Sequence, residues 1–245
     1  MGAMARVRTL EQAAAWVDRV GLALLFPKAD VVLPSLWEQV NGTPERNWAT
    51  RDGDGAFVGW TKEMGFLWGA KDDLPAQGLV CVGKHAARVV ACVAPRLVPT
   101  LLAAVEAREP EDSERSVLET VRVEGPLTGP QLREALGATK QEVDKAVAAL
   151  HRRLLLTNSH LVEGGGAWGA LAHELVARKW PLPPTLPPHE DARRELARLV
   201  LAAAGELTAA DLGGVLGWRR KAAAATLDEI AESREEDGFR VWMRP

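Results

Sequence analysis

Gly125-Pro126-Leu127-Thr128-Gly129-Pro130-Gln131-Leu132-Arg133-Glu134-Ala135-Leu136-Gly137 is the stretch that decides the fold. It returns 80 residues later as Gly205-Glu206-Leu207-Thr208-Ala209-Ala210-Asp211-Leu212-Gly213-Gly214-Val215-Leu216-Gly217. In each copy a threonine is followed three places on by Gln131 or Asp211, the spacing of a capping box that opens a helix. Leu132 and Leu136, like Leu212 and Leu216, are four apart and share one helix face. The closing glycine permits the left-handed exit of a tight helix-to-helix turn. A basic, amphipathic stretch follows each copy. The pattern is that of a helix-turn-helix, and its repetition predicts a mainly α fold with short β-hairpins, organised as tandem winged helix-turn-helix domains.

Working outward from the first copy, residues 116–123 read as a short preceding helix. Thr139 and Glu142 form a second capping box, and Val143, Val147 and Leu150 are the buried stripe of the next helix. Residues 154–157 and 160–163 read as a hairpin turning at Asn158-Ser159, with Gly164-Gly165-Gly166 as a flexible joint and residues 167–180 as a helix. Around the second copy, residues 191–204 read as a helix. A third helix begins at Trp218, and residues 239–243 alternate as an edge strand of a wing. Earlier in the chain, Thr9 caps a helix that Gly21 stops, residues 36–40 and 57–68 have helical period, and residues 79–82 and 88–93 are strand-like. Residues 96–106 form a helix opened by Pro95. This N-terminal α/β region accommodates a modified winged helix only with insertions. Linker-like residues 106–114 and the proline-rich residues 181–188 set the expected domains at 1–108, 109–180 and 189–245.

The net charge of −3 excludes a polycation, so nucleic-acid binding must come from local patches. Cys81 and Cys92 lack zinc-site spacing and read as small buried residues of a reducing cytosol. The first residues carry no apolar run of a signal peptide, and Pro95, Arg96 and Pro99 break the most apolar stretch. The expectation is a cytoplasmic chain, nucleoid-associated if it binds DNA, with no membrane span. No metal and no cofactor are expected.

The order of a helix, then Val20-Gly21-Leu22-Ala23-Leu24-Leu25-Phe26-Pro27, then a mixed region and tandem winged helices resembles the AlkZ/YcaQ-like winged-helix DNA glycosylases. The resemblance runs over residues 9–245 at the level of plan and is specific around Gly21 to Pro27 and in the helix-turn-helix units. That family implies a Gln-x-Gln or Gln-x-Asp catalytic pair in a Leu-Gly-x-x-Gln-x-Asp-Pro setting. Anchored on Gly21 and Pro27, the pair falls at Leu24 and Phe26. Neither side chain can position water or stabilise a cationic sugar, as a glycosylase requires. The resemblance therefore implies a short relative, without the family's C-terminal β-barrel, that keeps the DNA-binding frame and has lost that chemistry, so no catalytic residue is assigned.

If the units are winged helices, their third helices approach duplex DNA. The expected contacts are Lys140, Gln141 and Lys145 from the first, with Arg152 and Arg153 closing that helix on phosphate. From the second come Arg219, Arg220 and Lys221, Arg240 on the wing, and Trp218 stacking on a base or sugar. The simpler alternative for Arg152 and Arg153 is that they only complement the helix dipole, and for the other cations that they form a solvated face. Glu232, Glu235, Glu236 and Asp237 would repel phosphate and favour a protein partner for the last unit. Lys84, His85 and Arg88 follow a strand and could touch phosphate, although an exposed basic turn is simpler. His151 and His160 could pair across the hairpin on a metal. Asp52-Gly53-Asp54-Gly55 resembles the opening of a calcium loop but lacks the twelfth-position Glu and reads as a surface turn. The leading reading is a DNA-binding protein of repair or regulation without glycosylase chemistry. Its rivals are an active glycosylase for alkylated or crosslinked bases with a displaced catalytic group, and a winged-helix interaction module that packs on a protein partner or as a homodimer.

Overall fold

The computed structural model describes residues 6–106, 108–163, 169–236 and 238–244. Helices predominate, with four small antiparallel sheets among the described residues. The first unit runs α1 (Leu10–Val20), β1 (Leu22–Leu24), α2 (Leu36–Asn41), β2 (Ala49–Arg51), β3 (Phe57–Trp60), α3 (Lys62–Ala76), β4 (Cys81–Ala86) and β5 (Val89–Val93). A 3-10 turn (Pro95–Leu97) and α4 (Val98–Ala104) lead on. The middle unit is α5 (Asp112–Glu124), β6 (Leu127–Thr128), α6 (Gly129–Leu136), α7 (Lys140–Arg152), β7 (Leu156–Val162), β8 (Ala170–Leu175) and α8 (Val176–Lys179). The third is α9 (His189–Ala204), β9 (Glu206–Thr208), α10 (Ala209–Leu216), α11 (Arg220–Asp228), β10 (Glu232–Glu236) and β11 (Phe239–Met243).

Set aside the β2–β3 hairpin, and one plan occurs three times: helix, strand, helix, helix, strand, strand. The sheets agree, with the first strand pairing the last in β1-β5-β4, β6-β8-β7 and β9-β11-β10. The sequence cause is shared. Each opening helix ends at a glycine with positive φ (Gly21, Gly125, Gly205 at 80°, 96° and 81°), where an L side chain would be strained, and a leucine-bearing strand follows at once. Each second helix is opened by a boxed cap: Ser35 with Glu38, Thr128 with Gln131, Thr208 with Asp211. Thr9 and the Thr139–Glu142 box cap helices as read from the sequence.

Several expectations are corrected. Residues 57–68 are not one helix: Asp52 accepts the N–H groups of Asp54 and Ala56, closing a turn that sends Phe57–Trp60 back against β2, and α3 starts only after Thr61. Asn158-Ser159 is not a turn. Both are buried, and β7 runs through them to pair with β8. Residues 170–175 form strand β8, paired on both sides, in place of the expected helix. The third helix of the last unit starts at Arg220, after Trp218. Phe239–Met243 is the central strand of its sheet, not an edge, and the acidic Glu232–Glu236 takes the edge. The expected joint at Gly164-Gly165-Gly166, together with Trp168 and Asp237, lies outside the described residues.

Burial is divided unequally. The first and third units share one apolar core, to which Leu97, Leu101, Leu196, Val200 and Trp242 belong, and α4 packs along α9. The middle unit closes its own core around Val117, Val121, Leu132, Val147, Leu150 and Leu156. Leu154, Val176 and Trp180 flank it and join the larger core. No described helix is long and apolar enough to cross a membrane.

Candidate nucleic-acid interface

The positions matched to the family's catalytic pair lie in an apolar setting. Leu24 is fully buried on β1, between Ala91 of β5 and the Ser35 bridge. Phe26 packs between Trp37 and Trp48, with ring centroids 6.1 and 5.6 Å away. Arg46 lies 5.8 Å from the Trp48 centroid and donates to the Pro27 carbonyl.

A cleft of about 530 Å³ opens where the three units meet. Its wall includes the β4–β5 turn, Val105, Glu106 and Arg108, the end of α7 and the turn after α10. Arg88, Arg108, Arg152, Arg153 and Arg219 line it, against Glu106. The turn that presents Arg88 is built with effort. Ala87 and Arg88 both sit at positive φ (51° and 58°), a two-residue hairpin that asparagine and glycine make more easily, at a cost on the order of 1 kcal/mol for each residue. Two tertiary bonds hold it: Ala87 N–H donates to Val215 O at 2.8 Å, and Lys28 Nζ donates to Ala87 O at 3.0 Å.

The arginines are not equally free. Arg108 and Arg153 brace the buried Glu114 at 2.5 and 3.0 Å, and Arg153 also donates to the Arg108 carbonyl. Burial pushes the Glu114 carboxyl up, but the Arg108 hydrogen bond, the backbone of Glu111 and the charges of Arg108 and Arg153 outweigh it, and its pKa is lowered. Arg219 is 3.8 Å from Glu106 and otherwise open. Arg88 and Arg152 have no ion-pair partner among the described residues. Unneutralised guanidinium groups on separate units, facing one cleft, can hold a polyanion's phosphates.

The sequence-derived contacts divide accordingly. Arg152, Arg153 and Arg219 come together in the cleft. Gln141 and Lys145 are exposed near the start of α7, and Lys140 there is paired with Asp144 at 2.5 Å. That end lies roughly 18 Å along the helix from Arg152. Arg220 and Lys221 are exposed in the first turn of α11. Arg240 pairs with Asp228 at 2.8 Å and lies over Trp242. Trp218 offers no free stacking face: it is 7% exposed, with the Arg193 guanidinium 4.2 Å from its ring. Arg108 was missed because it sits in a segment read as an acidic linker. The one signal for Arg88 was its basic turn after a strand.

Behind the cleft a buried polar seam joins the first and middle units. His85 of β4, His151 of α7 and His173 of β8 meet there, with the His85 and His151 rings stacked at 5.4 Å. Lys84 N–H donates to His151 Nδ1 at 3.2 Å, so the neutral ring carries its proton on Nε2 and donates to His173 Nδ1 at 3.2 Å. His85 Nδ1 donates to the His151 carbonyl at 2.8 Å, and its bare Nε2 faces Cys81 Sγ and Thr157 Oγ1 at 3.5 and 3.4 Å. Burial pushes His85 and His173 down to about 4 and His151 well below its usual value, and Lys84 adds to the effect on the last two. Burial likewise lifts the Cys81 thiol to about 12. The expected His151–His160 metal pair does not form: His160 is exposed beside Ser159. No group of three or more His, Cys, Asp or Glu is arranged to hold a metal ion among the described residues.

No curated protein matches the chain. A solved structure, the Streptomyces sahachiroi DNA glycosylase AlkZ, is similar with a TM-score of 0.57 at 13% identity, which speaks for the fold alone. The match covers 99% of this chain and 66% of that one, so the chain spans less than two thirds of that protein's length. A family model described as DNA glycosylase AlkZ-like matches residues 81–245. With most of its length inside that match, the chain belongs to the AlkZ-like DNA glycosylase family.

Proposed function

We propose that the three repeated units are winged helices, and that they bind duplex DNA along the arginine-lined cleft without excising a base at Leu24 and Phe26. The observation that carries the reading is the convergence of Arg88, Arg152 and Arg219, one from each unit, on a single cleft. Family membership favours a DNA ligand and a role in repair. The apolar packing around Leu24 and Phe26 supports the loss of chemistry at that place, because an oxocarbenium-like sugar needs a carboxylate or amide beside it. The expected contacts Gln141, Lys145, Arg220 and Lys221 extend the interface on the faces of α7 and α11. Phosphate contacts dominate this set, so sequence preference should be modest.

Fluorescence anisotropy with a labelled duplex at low salt tests the reading. Binding is expected below about 10 μM, within the range of sequence-independent association. The Arg88→Glu/Arg152→Glu double variant should bind at least about tenfold more weakly. Its log affinity against log salt should flatten by about 0.9 for each phosphate that the variant no longer neutralises. No binding at low salt, or a variant that binds like the wild type, overturns the interface. Release of an alkylated base by the wild-type chain overturns the claim about chemistry and leaves the interface standing.

A further inference from the structure

The turn between the second and third helices differs among the units. In the middle unit it is Gly137-Ala138-Thr139, and in the third Gly217-Trp218-Arg219. In the first, residues 42–61 take its place and carry the β2–β3 hairpin. Phe57, Val58 and Trp60 on that hairpin are 55%, 65% and 51% exposed, and Trp68 on α3 is 44% exposed. Folding gains nothing from apolar surface left in water, so such a cluster marks a contact surface. The rings are also organised. A register shift at Thr50/Arg51 places Phe57 and Trp60, three residues apart, edge to face at 5.3 Å.

The root of the hairpin sits against the place matched to the family's catalytic pair. Thr61 N–H donates to the Trp48 carbonyl at 2.9 Å, and the Trp48 ring packs on Phe26. Cations flank the rings: Arg46 beside Trp48, Arg51 on β2 and Lys62 at the start of α3, while Lys71, 4.4 Å from the Trp68 centroid, is already paired with Asp72 at 2.7 Å. The acidic tip is partly spent on structure, since Asp52 accepts two backbone N–H groups of the turn.

We propose that the hairpin is a wedge whose Phe57–Trp60 pair stacks on the nucleobases of a duplex opened at an unpaired or displaced base. This rests on the DNA-binding reading above and names the form of DNA it favours. Two arguments select a base over an apolar protein face. The turn that enters the third helix of a helix-turn-helix is the part that approaches base edges, and here that turn is enlarged and aromatic. Flat ring faces interleaved with arginine and lysine suit a base carried on a phosphate backbone.

The test uses the full chain and a Phe57→Ser/Trp60→Ser variant, whose exposed positions leave the melting temperature unchanged. One labelled duplex is fully paired, and a second contains a single unpaired base beside 2-aminopurine. The wild type is expected to bind the second about tenfold more tightly and to change its 2-aminopurine fluorescence. The variant should bind both alike, with affinity for the paired duplex unaltered. A variant that keeps the preference, or a wild type that binds both duplexes equally, sinks the wedge while the DNA-binding reading stands. If neither duplex is bound, both readings fall. A wild-type dimer that the variant turns into a monomer in analytical ultracentrifugation assigns the ring pair to a second copy and overturns the wedge.

Discussion

Replacing Gly83 by alanine is expected to destabilise the protein by about 3 kcal/mol, an overpacking cost for a buried site that cannot relax. A Cβ at Gly83 would lie 2.5 Å from His151 Nδ1 and 2.5 Å from His85 Nε2, closer than van der Waals contact allows. Both rings are buried and fixed by hydrogen bonds, so neither can swing aside as a surface side chain would. Moving His151 also breaks its bond from the Lys84 N–H and leaves a buried donor without a partner, adding about 1 kcal/mol. Chemical denaturation of Gly83→Ala beside the wild type checks this. A change smaller than about 1 kcal/mol would show that the seam is not tightly packed. Gly78→Ala is not an equivalent control, since that glycine holds positive φ. Gly65, in open space on α3, serves instead.

Acid should weaken the same seam. His85, His151 and His173 are held neutral in the folded chain, below the 6.5 of a free imidazole, by burial first; the neighbouring histidines and Lys84 add to the effect on His151, and Lys84 to that on His173. Asp144 pulls His173 the other way but does not reverse the direction. Below pH 6.5 the unfolded chain therefore binds protons that the folded chain refuses. Stability is full above that pH and falls as pH drops toward about 4, by up to about 1.4 kcal/mol per pH unit for each histidine. Glu114, whose folded carboxyl lies below 4.5, adds its own loss only as pH falls below that value, so the span from 6.5 to 4.5 belongs to the histidines. Denaturation midpoints at pH 7.5, 6 and 5 measure the effect. His173→Gln keeps an amide acceptor for His151 and removes one titration, so its pH slope should be shallower. Equal stability at pH 7.5 and 5 would contradict the neutral seam.

What could be read in the sequence was local. Thr128 with Gln131, Thr139 with Glu142, and Thr208 with Asp211 announce their helices because a capping box is complete within four residues. The third copy of the plan was only half legible. Its opening glycine and leucine, Gly21-Leu22, are separated from the Ser35 cap by residues 23–34, and its turn is swollen by the hairpin, so the spacing that identifies the other two is gone. Strand β8 was hidden for a different reason. Its alternation is weak, and pairing with β6 and β7 overrides helical propensity. The site was least legible of all. Arg88 reaches the cleft only because Ala87 bonds to Val215, and His85, His151 and His173 meet only because β4, α7 and β8 do. No window of sequence contains those encounters.

The shared core of the first and third units has a consequence for how the chain is made. As the protein leaves the ribosome, α4 emerges with the apolar face that α9 will later cover, and the whole middle unit must be synthesised before α9 arrives. The middle unit has no such wait, since Val117, Leu132, Val147 and Leu156 complete a core among themselves. The middle unit can therefore close its core as soon as it is made, whereas the α4 flank of the N-terminal unit stays open until α9 is synthesised.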